Sequence, residues 1–341
     1  MEDQAALEAG LRSFLARQLG AEDLRLSDVR RHIEGFSWET WDLTAHWQQG
    51  ESAHSRRLIA RRVPQAGLVG PYDVSLQWEL ARALPLVSSI PLPEALWVDR
   101  EGEATGRPLY VMEHVAGDVP APWNSHTYFF DDSARRDVGR QLVEIIAAIH
   151  AIDPIELPAL IRGREDPDLT AEVAHWERAY ERDRIEPVPV LERAFGWLAS
   201  HAGDVSGHRA LVHGDFRIGN AIVRDGRVVA MLDWELAHVG DPVEDLANFA
   251  HRLYWGKLGI PSGLLSMEEL LDAYREVAGW SVSERSMTFW LVFNDVRSAV
   301  SFVTARQLFA RGATRDLRYA AFGRQIPYLL RHIMADITSD D

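Results

Sequence analysis

The apolar positions of this chain follow two periods in succession. Leu7, Leu11, Phe14, Leu15 and Leu19 recur at helical spacing and predict an amphipathic helix over about 2–19. From about 30 to 63 the residues alternate in places, are rich in Ile, Trp, Thr and Val, and are cut by Gly35 and Gly50. That texture predicts three short strands with turns. Residues 73–86 read as a helix. "IPLPEALWVD" and "GRPLYVMEHV" read as two more strands, the first entered through prolines. Beyond "AGDVPAPW" the helical period dominates. Residues 131–152 open on Asp and Ser cap candidates and carry Val138, Leu142, Ile145, Ile146 and Ile149 at i, i+3/i+4 spacing. Further helices are predicted over 170–183, 190–202, 267–278, 283–309 and 316–335. The expectation is an α+β chain, with a β-rich lobe over 1–115 and a helical lobe over 116–341. There is no repeat and no low-complexity linker.

One stretch breaks the helical texture. In "LVHGDFRIGNAIV" (211–223) His213, Asp215, Arg217 and Asn220 crowd between two apolar segments. "ALV" before them and "AIVRDGRVVAML" after them read as short strands, the latter a hairpin turning at Asp225-Gly226. A polar loop held by strands is a rigid mount for functional groups. Asp215 can accept a proton from a hydroxyl. Asn220 and the later Asp233 are oxygen ligands suited to Mg²⁺, which takes few protein ligands beside phosphate oxygens. Arg217 is a permanent cation able to steady phosphate oxygens. Base, cation and two metal ligands in this order are the parts of a phosphoryl-transfer site. Each residue alone says little, and Asp233 alone could end a strand; the joint spacing is specific.

The bulk numbers set limits. A length of 341 residues favours about two domains. A hydrophobic content of 47% and a charged content of 26% are ordinary for a soluble globular protein. The net charge of −15 argues against nucleic acid or an anionic membrane as a main partner. The N-terminus lacks the basic and apolar regions of a signal peptide, and no uncharged apolar run is long enough to span a membrane. With no cysteine, disulfides and thiolate metal sites are excluded. A cytoplasmic location is expected. Nothing in the sequence addresses oligomeric state.

"LVHGDFRIGNAIV" followed by "VVAMLDWELAHVGDPVEDLA" resembles the aminoglycoside phosphotransferase-like family, small-molecule kinases with a protein-kinase-like fold. The resemblance implies a bilobal fold, with a small β-rich nucleotide-binding lobe and a larger helical lobe carrying the catalytic loop and acceptor site. It implies ATP or GTP with Mg²⁺ as cofactors, Asp215 as catalytic base, and Asn220 and Asp233 as Mg²⁺ ligands. It makes His213 a support of the loop, and makes Asp241 and Asp245 structural, although Asp241-Pro242 also reads as a simple helix start. On the nucleotide side, "EGFSWET" (34–40), with Gly35, Ser37 and Thr40, resembles the family's phosphate-covering loop, and by itself is an ordinary hairpin turn. The strand cation is Arg61 or its neighbour Arg62, and alternation puts the two on opposite faces. Arg61 is favoured, with Glu79 as its carboxylate partner. The main chain of Glu113 and Val115 would meet the adenine edge.

The acceptor is expected to be a small molecule bearing a hydroxyl. The candidate lining segments, 122–132, 175–198, 251–260 and 288–300, mix acids, bases and aromatics, which does not single out a polycation. "HWERAYERD" and "PVLERAFGWL" resemble the branch that includes hydroxyacyl-CoA kinases, the kinase-like portion of some acyl-CoA dehydrogenase fusions. An aminoglycoside or macrolide phosphotransferase is the alternative. Two readings of other classes are a nucleotide-binding pseudokinase scaffold and a metal hydrolase using His213, Asp215, His238 and Asp241.

Overall fold

Alternation over 39–62 becomes a long hairpin, β2 (Glu39–Gln49) and β3 (Ser52–Arg62), turned at Gly50 with φ +65°. The computed structural model describes residues 4–32, 38–65, 72–157 and 169–339. The chain divides into two units, Met1–Leu86 with Leu92–Ala116, and Val87–Pro91 with Gly117–Asp341.

In the first unit β1 (Arg25–His32), β4 (Ala95–Asp99) and β5 (Leu109–Glu113) join the hairpin in an antiparallel sheet ordered β1-β2-β3-β5-β4. Side chains alternate across it. Leu43, Leu58, Ala60 and Val111 share a core with Leu7, Leu11, Phe14 and Leu15 of helix α1 (Gln4–Leu19). Trp38 and Tyr110 cluster with Val74, which opens helix α2 (Val74–Val87). The sheet is thus apolar on both faces and takes a helix on each.

In the second unit the predicted helices form with small shifts: α4 (Asp132–His150), α5 (Leu169–Asp183), α6 (Pro189–Ser200), α8 (Met267–Ala278) and α9 (Glu284–Ala310). Short helices α3 (Ser125–Tyr128) and α7 (Val243–Phe249) lie between them. The helix expected over 316–335 is instead two, α10 (Leu317–Phe322) and α11 (Ile326–Ser339). Pro327 accounts for the break. It lacks an N–H and disfavours helix in the residue before it, so it fits only a first turn. Two strand pairs interrupt the helices. β7 (Ala221–Arg224) and β8 (Arg227–Met231) make the hairpin at Asp225-Gly226, both with positive φ (51° and 72°). β6 (Ala210–Val212) pairs instead with β9 (His238–Gly240). Among the described residues no helix is long and apolar enough to cross a membrane.

Candidate active site

The polar loop leaves β6 and enters β7 through a single 3₁₀ turn, Ile218–Asn220. Asp215 stands on it with its carboxylate 28% exposed. Two neighbours fix that carboxylate. Asn220 Nδ2 donates to Oδ2 at 2.7 Å and to the Asp215 carbonyl at 2.8 Å. Arg217 Nε donates to Oδ1 and Oδ2 at 3.2 and 3.3 Å. The Arg217 guanidinium also lies over the Tyr254 ring, 5.0 Å from its centroid. Burial opposes the charge of Arg217, but Asp215, with Asp233 further off, more than restores it, and the guanidinium stays protonated.

Side chains from distant segments hold the backbone of 213–215. Asp245 on α7 accepts from the N–H groups of His213 (2.8 Å) and Gly214 (2.9 Å). The His213 ring donates through Nε2 to the Leu232 carbonyl at 2.9 Å, and its Nδ1 accepts from the Asp215 N–H at 3.3 Å. It is fully buried and architectural. Asp245 is buried too; burial alone would raise its pKa, but hydrogen bonds from His150 and from the His213 backbone hold it below the usual carboxylate range. Asp241 accepts from Val243 N–H at 2.9 Å and from the Ser206 hydroxyl at 2.7 Å, so it opens α7 and ties in the loop before β6. Gly214 sits at φ +82°, and a Cβ there would lie 2.5 Å from the Leu236 carbonyl oxygen, so this turn requires glycine.

The donor set suits a hard divalent cation. Ala221 pairs with Met231 at the end of the β7–β8 hairpin, and the Leu232 N–H bonds the Asn220 carbonyl at 2.8 Å. Asn220 and Asp233 therefore emerge at the same end of the hairpin. Asn220 spends its Nδ2 on Asp215, which turns its amide oxygen the other way, and Asp233 holds an αL backbone (φ 62°, ψ 56°). The hydrolase reading does not survive. His213 is spent on Leu232, His238 bonds Glu244 at 3.1 Å, and among the described residues no three His, Asp or Glu side chains gather as a metal site.

In the first unit Gly35 and Ser37 lie outside the described residues. Thr40 pairs across the hairpin with Arg61. Arg61 and Arg62 do take opposite faces. Arg62 joins Glu39 at 3.0 Å, whereas Arg61 reaches Gln77 of α2 (3.5 Å) and the Tyr110 hydroxyl (3.4 Å) over the Trp38 ring. The expected Arg61–Glu79 pair is not made. Glu79 bonds Arg100 at 3.3 Å with its side chain 40% exposed, because two residues along a helix turn it away from the face that carries Gln77. The Glu113 N–H is taken by the Glu94 carbonyl at 3.0 Å, so only its C=O is left for a ligand edge; Val115 follows the strand, half-buried.

The sequence profile of the phosphotransferase enzyme family (APH) matches residues 28–282, three quarters of the chain. The chain belongs to the phosphotransferase enzyme family. This phosphotransferase is 26% identical over 331 residues to acyl-CoA dehydrogenase family member 11 of Homo sapiens, covering 92% of this chain and 40% of that protein. It thus spans about two fifths of the length of the curated relatives it matches. A protein of Ralstonia eutropha JMP134 assigned to the aminoglycoside phosphotransferases superposes with a TM-score of 0.74 at 21% identity, covering 99% of this chain and 98% of that one. A thermostable mutant of aminoglycoside phosphotransferase APH(4)-Ia, solved with AMP-PNP and hygromycin B, gives 0.62 at 16%, covering 97% and 99%. These likenesses establish the protein-kinase-like fold, and the family makes the chain a phosphotransferase.

Sequence reasoning missed several residues of the phosphotransferase loop. Asn248 Nδ2 donates to the Gly214 carbonyl at 3.0 Å, and Arg297 of α9 donates to the same oxygen at 3.1 Å. Glu244, buried on α7, receives Arg297 (2.9 Å) and His238. Burial opposes the charge on His238, but Glu244 overrides it and raises the imidazole to about 9. One signal was available: an arginine inside the apolar run "TFWLVFNDVRSAV" needs a buried partner.

Proposed function

We propose that this chain transfers the γ-phosphate of ATP to a hydroxyl of a small anionic metabolite, a hydroxyacyl-CoA or a similar ester, with Asp215 as base. The observation that carries the reading is the Asn220–Asp215–Arg217 arrangement: a partly exposed carboxylate fixed on both oxygens, with a cation beside it. Asp215 accepts the hydroxyl proton. Arg217 offers its remaining N–H groups to phosphate oxygens. Asn220 and Asp233 would hold Mg²⁺, which supplies charge neutralisation at the phosphates. Arg61 and Thr40 serve the nucleotide from the β2–β3 hairpin. Gly35, Ser37, Glu79, Glu113 and Val115 remain candidates for that role, Glu79 through Arg100 rather than Arg61 and Glu113 through its carbonyl.

The acceptor charge is argued from the strips beside Arg217. Tyr254 lies under Arg217, and Pro122 stands 3.9 Å from where a Gly219 Cβ would be. Residues 119–130 and 251–263, which include Pro122 and Tyr254, contain no Asp or Glu and hold the chain's one lysine, Lys257. A polycationic aminoglycoside would find no carboxylate within these strips, only Asp118, bonded to the Tyr128 hydroxyl at 3.4 Å, and Asp131 at the edge of the first. The relation to acyl-CoA dehydrogenase family proteins supports a CoA ester. ADP release with hydroxyacyl-CoAs, simple alcohols, aminoglycosides and macrolides tests the reading. Asp215→Ala is expected to lose about 10²–10⁴-fold in turnover. Near-full activity in that variant removes Asp215 as base, and efficient aminoglycoside turnover removes the anionic acceptor.

A further inference from the structure

We propose that Arg297 is a positioning residue for the catalytic base, acting through the Gly214–Asp215 peptide. The proposal rests on Asp215 being that base. Arg297 stands 82 residues beyond Asp215 in the chain, inside the 288–300 segment that the sequence offers as candidate acceptor lining. Its side chain is nonetheless only 15% exposed and bonds both the loop, at Gly214, and helix α7, at Glu244 and Asn248. Nη2 donates to the Gly214 carbonyl at 3.1 Å and to Asn248 Oδ1 at 2.9 Å, while Nη1 donates to Glu244 Oε1 at 2.9 Å. Asn248 closes the ring by donating its Nδ2 to the same carbonyl at 3.0 Å. The Gly214 carbonyl and the Asp215 N–H belong to one peptide plane. Arg297 and Asn248 hold one edge, and His213 Nδ1 holds the other at 3.3 Å. Rotation of that plane would carry the Asp215 side chain away from Asn220 and Arg217. Gly214 makes such a rotation accessible, since glycine at φ +82° has the widest choice of conformations. The clamp therefore sits where the loop is most able to move. Its charge is balanced locally by Glu244, which burial opposes but which His238 and Arg297 hold ionised.

A planar fork is what this geometry uses. A lysine ammonium could face Glu244 but could not also present parallel donors to the carbonyl and to Asn248. The test is ADP release from Mg·ATP, with 3-hydroxybutyryl-CoA and with water alone as acceptor, alongside deuterium exchange over residues 211–220. Arg297→Met is expected to lower kcat about 10–10²-fold, the scale of a misplacement near 1 Å, with KM for ATP little changed. Exchange in 211–220 should quicken, and added guanidinium should restore part of the turnover. In an Asp215→Asn background the same change should cost nothing more, since the effect passes through Asp215. Wild-type kcat in Arg297→Met, or an equal loss in the Asp215→Asn background, overturns the proposal. If Arg297→Met does not fold, Arg297→Lys decides with the same readouts: a persistent loss supports the fork, and wild-type turnover overturns it. Wild-type turnover in Asp215→Asn alone overturns the base assignment instead, and with it this proposal.

Discussion

Gly219→Ala should disable Arg217 without altering it. Gly219 lies inside the 3₁₀ turn Ile218–Asn220 and is not among the residues with positive φ, so alanine fits its backbone. The obstacle is a side chain. A Cβ at 219 would stand 2.2 Å from Arg217 Nη1 and 3.4 Å from its Cζ. The guanidinium is the far end of a flexible chain and will swing away, leaving the Asp215 carboxylate and the Tyr254 face. The stability terms nearly cancel. The Arg217–Asp215 pair is 24% and 28% exposed, and such a pair contributes about 1 kcal/mol or less. The cation–π contact adds about 0.5–1 kcal/mol, and replacing a glycine in compatible backbone returns about 0.4–1 kcal/mol. The net change should stay within about 1 kcal/mol. Turnover should fall about 10–10²-fold, because the displaced cation no longer fixes the base or the phosphate oxygens. Thermal unfolding and ADP release on the same preparations check both halves. Arg217→Ala should lose a similar factor, and the double variant should lose no more than either single change. Wild-type turnover in Gly219→Ala beside a large loss in Arg217→Ala would refute the steric argument. Additive losses would show that Gly219 acts by another route.

Three further outcomes are expected. Asp245→Ala strips two buried N–H groups and His150 of their acceptor, and should cost about 2–5 kcal/mol, seen as a lower urea midpoint at unchanged slope. For His238, the folded pKa of about 9 lies above the ordinary 6.5, so the folded state binds the extra proton. Its contribution is complete below pH 6.5 and is lost as the pH rises to about 9, with a ceiling of roughly 3 kcal/mol. His238→Gln should flatten the stability profile across that window, and an unchanged slope would reject the ion pair with Glu244. Lys257→Glu should raise KM for a CoA ester about 10-fold and steepen neither KM for ATP nor the loss of kcat; an unchanged acceptor KM would reject the anion contact.

The loop was legible because its chemistry is local. Asp215, Arg217 and Asn220 fall within six residues, and a hairpin signal at Asp225-Gly226 carries the chain back toward Asp233. The helices were legible for the same reason, since their period and caps are short-range, as at Asp131 and Ser266. What failed was longer in range or finer than an element. Gln77 rather than Glu79 faces Arg61 because the rotation of α2 is set by Val74 packing with Trp38 and Tyr110, a contact between distant segments. Arg297 and Asn248 reach Gly214 only once α7 and α9 pack together, and no spacing in the sequence encodes that meeting. The division has a physical consequence. The residues that perform the chemistry are supplied by one short segment, while their precision is supplied by buried charges far along the chain. Substitutions at Asp245, Glu244 or Arg297 should therefore impair catalysis on the scale of Arg217→Ala, short of the loss of Asp215 itself, although none of the three is placed to touch a substrate.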